Sequence, residues 1–145
     1  MTMTGSVVVL VAVVVTAAIG LLYRVVDGRV REKAQPVEVA LPAPVRTALD
    51  SAPDTGSPVT LLQFSTTFCA PCRHARVLLT DLAGRTEGVR HVEFDLTAHP
   101  EVAGELGVLR TPTTLALAPD GRELLRVSGL PKRDALVSAL RAHLP

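Results

Sequence analysis

The sequence predicts an α/β domain preceded by one membrane-spanning helix. An apolar run of strand length, Val59 to Phe64, is followed after a short gap by residues with helical spacing from Arg73 to Leu82, and Gly84 is placed to end that helix. The two cysteines of the chain lie at this strand-to-helix turn. A long uncharged run lies at the N-terminus. The length of 145 residues allows one domain of ordinary size once the extremities are set aside.

The cysteines, Cys69 and Cys72, form the sequence Cys-Ala-Pro-Cys at the predicted start of the helix. A C-x-x-C pair outside a Cys-rich secreted scaffold indicates a redox dithiol. Unpaired N–H groups and the positive end of the helix dipole favour a thiolate at Cys69, and Arg73 adds a positive charge. Pro71 lacks an N–H, which costs nothing in a first helical turn, and it fixes the backbone between the sulfurs. We therefore predict that Cys69 attacks a substrate disulfide and that Cys72 resolves the mixed disulfide.

Further motifs follow the dithiol at regular intervals. They are a strand ending in Asp95, a short helix from Pro100 to Leu106, Arg110-Thr111-Pro112-Thr113-Thr114-Leu115, a hairpin turn at Asp120-Gly121, Ser128-Gly129, and a helix from about Pro131 to Leu144. In order and spacing, from Val59 to Leu144, the chain resembles the thioredoxin family. The resemblance implies a central mixed sheet with helices on both faces, thiol–disulfide exchange on proteins, a redox partner protein, and no organic or metal cofactor.

The resemblance also implies a substrate groove beside the dithiol. Its residues are Phe68, Ala70, Pro71, Thr111, Pro112 and Gly129. In the family, a cis bond before the equivalent of Pro112 faces the dithiol, and the backbone there pairs with an extended substrate. As alternatives, Pro112 starts a strand, Gly129 is a helix-entry residue, and Phe68 belongs to the core.

The chain departs from the family beneath the dithiol. Thioredoxins usually bury an Asp there as a proton relay, and the aligned residue is Gln63, which cannot take a proton. His91 aligns with the family's buried lysine, so a Gln63–His91 pairing is one hypothesis, with both residues as neighbours for proton transfer. Phe68 stands where the family usually has Trp. These changes leave the exchange chemistry in place and put its speed in question.

The sequence is also compatible with two other classes of function. Cys69 and Cys72 with His74 or His91 form a conceivable metal site, although structural zinc needs four ligands and no second C-x-x-C pair exists. An isolated dithiol also suits the carriage of Cu(I). A binding module without turnover is favoured only by the loss of the relay Asp. A nucleic-acid surface is not expected, because the net charge is +1 and the Lys and Arg residues are scattered.

The N-terminal run from Gly5 to Tyr23 contains 19 residues without a charge. As a helix it spans about 28 Å, close to the thickness of a bilayer core. A cleaved signal peptide and a buried helix are the alternatives. A signal peptide usually begins with positive residues and has a shorter apolar run, and Met1 to Thr4 carry no charge. We therefore predict a retained membrane-spanning helix over residues 5–26.

Positive residues lie just after the uncharged run, and none precedes it. They are Arg24, Arg29, Arg31 and Lys33, against Asp27 and Glu32. The positive-inside rule therefore places the domain in the cytoplasm, with the extracytoplasmic side as the alternative.

The segment between the span and the domain is rich in proline. Residues 27–57 are predicted to form a linker that holds a domain of residues 58–145 away from the bilayer. Within the linker, a short edge strand over Val37–Leu41 and a short helix over Val45–Ser51 are an even alternative to irregular chain.

Overall fold

The structure, a computed structural model, describes residues 2–53 and 56–145. Within these ranges the helices are α1 (Thr2–Val26), α2 (Ala43–Ser51), α3 (Ala70–Arg85), α4 (Pro100–Glu105) and α5 (Arg133–Leu140), followed by a 3-10 turn at Arg141–His143. The strands are β1 (Val30–Glu38), β2 (Val59–Ser65), β3 (Val89–Asp95), β4 (Thr113–Leu117) and β5 (Arg122–Ser128).

The five strands form one sheet in the order β1-β5-β4-β2-β3. β2 and β3 are parallel, and the other three pairs are antiparallel. Two apolar clusters cover the two faces of the sheet. One contains Leu61, Leu79 and Leu136 and packs α3 and α5 against one face. The other contains Phe64, Val45 and Val102 and packs α2 and α4 against the opposite face. The predicted α/β fold, a mixed sheet with helices on both faces, is confirmed.

One end of the sheet, where strands begin or stop, carries the dithiol. We call this end the dithiol edge; the term refers to the ends of the strands and not to the outer strands β1 and β3. There β2 and β3 end, β4 begins, β5 ends and β1 begins. The paired residues that define this edge are Ser65 with Asp95, Phe64 with Thr113, Thr113 with Ser128, and Val30 with Val127. The β4–β5 hairpin, in which Gly121 adopts a φ of +83°, lies at the opposite edge.

The region predicted as a linker is mostly regular structure. Val30–Glu38 forms β1 along β5, and β1 begins earlier in the chain than the alternative strand over residues 37–41. An edge strand can hold Pro36 because the pairing register shifts between Glu32 and Val37, where the missing N–H is not needed. The expected helix is present as Ala43–Ser51, with Pro44 in its first turn. Residues 54 and 55 of the predicted linker lie outside the described residues.

Helix α3 is longer than expected at its C-terminal end. It begins at Ala70, and it continues through Gly84 to Arg85, with Thr86 as its C-cap. The prediction that Gly84 ends the helix was therefore wrong. The left-handed conformation after the helix is taken instead by Gly88, with a φ of +82°, directly before β3.

Helix α1 is long and apolar enough to cross a membrane. The candidate span covers 22 residues, Gly5–Val26, with a mean hydropathy of 2.7, and none of it is buried. A buried core helix is therefore excluded as its explanation. A signal sequence would have the same length and composition.

Candidate active site

The dithiol lies at the N-terminus of α3, where the sequence placed it. Cys69 is the N-cap of the helix, and a disulfide bond joins it to Cys72, with 5.2 Å between the Cα atoms. The backbone N–H of Cys72 donates to Cys69 Sγ at 3.2 Å. Cys69 is half-buried, whereas Cys72 is only 2% exposed. The first sulfur therefore has access to solvent and a hydrogen-bond donor, and the second is enclosed.

The loop before Cys69 is held by the turn that follows β3. The backbone N–H of Thr67 donates to Thr97 Oγ1 at 3.0 Å, and the backbone N–H of Thr97 donates to Asp95 Oδ1 at 2.8 Å. Hydrogen bonds from the side chain and then the backbone of Thr97 hold the pKa of Asp95 below its usual value. Thr66 Oγ1 lies 3.5 Å from Thr111 Oγ1, so the loop also meets the segment before Pro112.

The predicted groove residues lie in the loops of the dithiol edge. The Thr111–Pro112 peptide bond is cis, as the resemblance implies. The backbone N–H of Gly129, whose φ is +94°, donates to the carbonyl of Pro112 at 2.7 Å, which brings these two residues together. Phe68 is 99% exposed, so its assignment to the core is excluded. Ala70 and Pro71 are exposed in the first turn of α3.

A chain of hydrogen bonds runs beneath the dithiol. Gln63, fully buried, donates from Nε2 to the carbonyl of Cys72 at 2.9 Å, and its Oε1 lies 3.0 Å from His91 Nε2. Since the amide oxygen can only accept, His91 carries its proton on Nε2, and Nδ1 accepts from the Thr80 hydroxyl at 3.1 Å. The hypothesised pairing of Gln63 with His91 is therefore present. A role in proton transfer stays a prediction.

Burial lowers the pKa of His91 below its ordinary value of 6.5. The charge of Glu93 raises this pKa and the charge of Arg76 lowers it, but both effects are smaller than that of burial. As the pH falls below 6.5, the unfolded chain takes up a proton that the folded protein resists. We expect the free energy of unfolding to decrease as the pH is lowered through this window. Above the window, titration of His91 should not contribute to the pH dependence. Replacing His91 by Gln, which keeps a donor for Gln63, should reduce this loss. Denaturant unfolding at about pH 7.5 and 5.5 measures it, and an identical loss in both proteins would contradict the assignment.

A cleft beside the dithiol contains a charged group that sequence reasoning missed. It has a volume of about 420 Å³ and is lined by Ser65, Thr66, Thr67, Cys69, Cys72, Arg73, Arg76, Glu93 and Asp95. Glu93 accepts hydrogen bonds from the Ser65 hydroxyl at 2.7 Å and from Arg76 Nη2 at 2.9 Å. The available signal was its position: Glu93 lies two residues after His91, on the same face of β3, and pairs in register with Gln63.

The described residues contain no group of three or more His, Cys, Asp or Glu side chains arranged to hold a metal ion. His91, a candidate ligand beside the two cysteines, uses both ring nitrogens in the hydrogen bonds to Gln63 and Thr80.

Comparisons with known proteins agree with this fold. The family model described as Thioredoxin matches residues 47–142. A thioredoxin of Chlamydia muridarum is 34% identical over 92 residues, which cover 63% of this chain and 89% of the relative. A thioredoxin of Staphylococcus saprophyticus is 30% identical over 89 residues, which cover 61% of this chain and 85% of the relative.

Among solved structures, mitochondrial thioredoxin 3 of Saccharomyces cerevisiae, in its oxidised form, superposes with a TM-score of 0.51 at 27% identity, covering 59% of this chain and 79% of that one. A mutant thioredoxin of Halobacterium salinarum superposes with a TM-score of 0.59 at 23% identity, covering 79% of this chain and 96% of that one. The second likeness bears on the fold alone. The family match covers well over half of the chain, and the close cysteine pair supplies the chemistry. The chain is a thiol–disulfide oxidoreductase and belongs to the thioredoxin family.

Proposed function

We propose that Cys69 is the nucleophile and Cys72 the resolving thiol of a membrane-tethered oxidoreductase that acts on protein disulfides. The observation that carries the assignment is the contrast between the two sulfurs. Cys69 is half-buried at the helix N-terminus and accepts an N–H bond, whereas Cys72 is 2% exposed. A client can therefore approach Cys69 and not Cys72.

In the reducing direction, the Cys69 thiolate attacks one sulfur of a client disulfide. A Cys69–client disulfide forms, and the other client sulfur leaves as a thiolate. Cys72, once deprotonated, then attacks Cys69 Sγ, which forms the Cys69–Cys72 disulfide and releases the second client thiolate. Two electrons pass from the dithiol to the client, and a redox partner protein must return them. The reverse sequence oxidises a client dithiol.

The groove beside Pro112 supplies the place where a client segment would lie. An extended peptide requires backbone partners and a flat apolar contact. Thr111, Pro112 and Gly129 offer backbone at the dithiol edge, where Thr111 meets Thr66 of the loop before Cys69. Phe68 offers an exposed ring directly before Cys69. The assignment of these four residues to client binding is part of the proposal.

The roles of the two cysteines are tested by trapping. Cys72→Ser should attack insulin, a model disulfide substrate, and stop at a covalent mixed disulfide, because the resolving thiol is gone. Cys69→Ser is the matched control and should form no such adduct. Both variants should lose turnover of insulin in the presence of dithiothreitol. Intact mass and non-reducing electrophoresis identify the adduct, and an adduct with Cys69→Ser alone would reverse the roles.

The membrane tether is supported by the length and composition of α1. The positive residues Arg24, Arg29 and Arg31 that follow the apolar run favour a cytoplasmic domain. A C-terminal reporter that is active on only one side of the membrane tests this orientation. Reporter activity confined to the extracytoplasmic side would overturn it. If the cell cleaves α1 from the full-length chain and the remainder is recovered in the soluble fraction, α1 is a signal sequence.

A further inference from the structure

The C-terminal end of α1 joins the dithiol edge without a flexible segment. The backbone N–H of Asp27 donates to a carbonyl one turn earlier in α1 at 2.9 Å, so helical hydrogen bonding extends to Asp27. The backbone N–H of Gly28 donates to the carbonyl of Ser128, at the end of β5, at 3.0 Å. β1 begins two residues later, at Val30. The helix therefore leaves the domain at the edge of the sheet that carries the dithiol.

The junction also contacts the groove. The carboxylate of Asp27 pairs with Arg110 Nη2 at 2.8 Å, and the same guanidinium nitrogen donates to the carbonyl of Ser128 at 2.8 Å. Gly129 leaves room for this pair, because a Cβ atom there would collide with Asp27 Oδ1. The backbone N–H of Gly129 in turn donates a hydrogen bond to the carbonyl of Pro112. Asp27, the residue that follows α1, therefore lies against Gly129 of the predicted groove.

The dithiol edge also carries unusually exposed apolar side chains. Of the described residues after α1, the two most exposed large apolar side chains are Phe68 at 99% and Leu109 at 96%. Phe68 precedes Cys69, and Leu109 lies in the loop before Pro112. Phe68 has an exposed cation nearby, since Arg73 lies in the first turns of α3, and Leu109 is followed directly by Arg110, whose charge is paired with Asp27. Apolar side chains beside cations suit the boundary between acyl chains and anionic headgroups.

We propose that the dithiol edge faces the bilayer, so that the clients of this protein are disulfides in protein segments lying at the membrane surface. This inference rests on the proposed membrane tether. Since α1 is unburied along its span, it extends away from the domain, and the dithiol edge lies next to its end. The opposite edge of the sheet lies about 20 Å farther out, the length of a seven-residue strand.

The orientation is tested with two single-label variants of the full chain in liposomes. One carries a bimane fluorophore on Cys69 in Cys72→Ser. The matched control carries it on Glu87→Cys, in Cys69→Ser/Cys72→Ser, since Glu87 is exposed just before β3 at the opposite edge. Lipids with a nitroxide on the headgroup should quench the label at Cys69 several-fold more strongly than the label at position 87.

Insertion of a flexible Gly-Ser segment of roughly 20 residues between Val26 and Asp27 should remove most of this difference. Equal quenching at the two positions, or stronger quenching at position 87, would overturn the inference. Flotation of the labelled chain with the liposomes separates this outcome from a failure of the tether. A chain that floats with the wrong quenching order is tethered but misoriented, and a chain that does not float overturns both proposals.

The client class is tested with two single-span peptides in the same liposomes. One carries a disulfide-closed loop directly after its span, and the other carries the same loop beyond a helical spacer of about 30 residues. Confinement near the bilayer should make reduction of the membrane-proximal disulfide roughly 10-fold faster or more, as expected for a raised effective concentration. The Gly-Ser variant should show little preference. Equal rates for both peptides with the natural chain would contradict the proposal.

Discussion

Replacing Arg126 by Met is expected to lower the free energy of unfolding by about 3–5 kcal/mol. The Glu123 side chain is only 3% exposed, and it accepts from Arg126 Nε at 2.8 Å and Arg126 Nη2 at 2.9 Å. Met keeps much of the apolar volume and removes both donors. The buried carboxylate is then left with Lys33 Nζ alone, at 3.9 Å, and an unpaired buried charge is costly.

The same substitution should loosen the approach to the groove. Arg126 Nη1 donates to the carbonyls of Leu106 at 2.9 Å and Gly107 at 3.2 Å, where α4 ends and the segment leading to Pro112 begins. We therefore expect faster amide hydrogen exchange over residues 106–111 in the Met variant, in addition to the loss of stability.

Strand β5 offers a matched control. Arg122 pairs with Asp120 at 2.6 Å, but both side chains are about half exposed, at 47% and 53%. Arg122→Met should cost far less stability than Arg126→Met, because solvent screens this pair. Glu123→Leu combined with Arg126→Met should recover much of the loss, because no buried charge remains. Urea unfolding of the four proteins measures these differences, and a cost for Arg126→Met equal to that of Arg122→Met would contradict the assignment.

Gln63 is expected to control the second step of the exchange. The atom of Gln63 that faces Cys72 is the amide nitrogen, which donates to the Cys72 carbonyl and has no lone pair for a proton. His91 Nε2 is likewise a donor, and it points to Gln63 rather than to the sulfur. Cys72 must therefore lose its proton to water or to another group, and we expect resolution to limit turnover near neutral pH.

Gln63→Asp should accelerate this step by at least an order of magnitude, because a carboxylate beneath Cys72 can accept the proton. The matched control is Gln63→Asn, because the Asn side chain has the same length as that of Asp and cannot ionise. Both variants weaken the bonds to the Cys72 carbonyl and His91, at a cost of about 1–3 kcal/mol for each group left unpaired. Gln63→Asp should be the less stable of the two, since it also buries a carboxylate.

Stopped-flow decay of the mixed disulfide between about pH 6 and 9 distinguishes the variants. The natural protein and Gln63→Asn should show decay that rises with pH, while Gln63→Asp should be faster near neutrality. Decay that is already fast and independent of pH in the natural protein would mean that Gln63 is only a packing substitute.

The elements around the dithiol could be predicted because their signals are local. β3 was expected to end at Asp95 and does, and the strand-to-helix turn at Cys69 followed from apolar periodicity and the position of the cysteines. The Gln63–His91 pair could be anticipated because alignment to a known fold brings the two neighbouring strands together.

The elements that could not be predicted depend on distant partners. β1 is rich in charge and contains Pro36, and only the free edge of β5, some ninety residues later, makes it a strand. The pairing of Glu123 with Arg126 gave no signal, because residues three apart in a regular strand lie on opposite faces. The irregular register between Glu123 and Leu125, where β5 pairs with β4, brings the two side chains to one face. Asp27 lies beside Gly129 because β1 neighbours β5 in the sheet, and this strand order could not be read from the sequence.

The register shift in β1 has a consequence for association between copies of the chain. β1 is an outer strand of the sheet, and an outer strand with a continuous row of free N–H and C=O groups can recruit a strand from another molecule. Pro36 removes one donor from that row, and the irregularity between Glu32 and Val37 breaks its spacing. Arg31, Glu32 and Lys33 add charges that a second apolar strand would have to cover. The charges and Pro36 make β1 hard to recognise as a strand in the sequence. The same features protect the folded domain against aggregation through its outer strand.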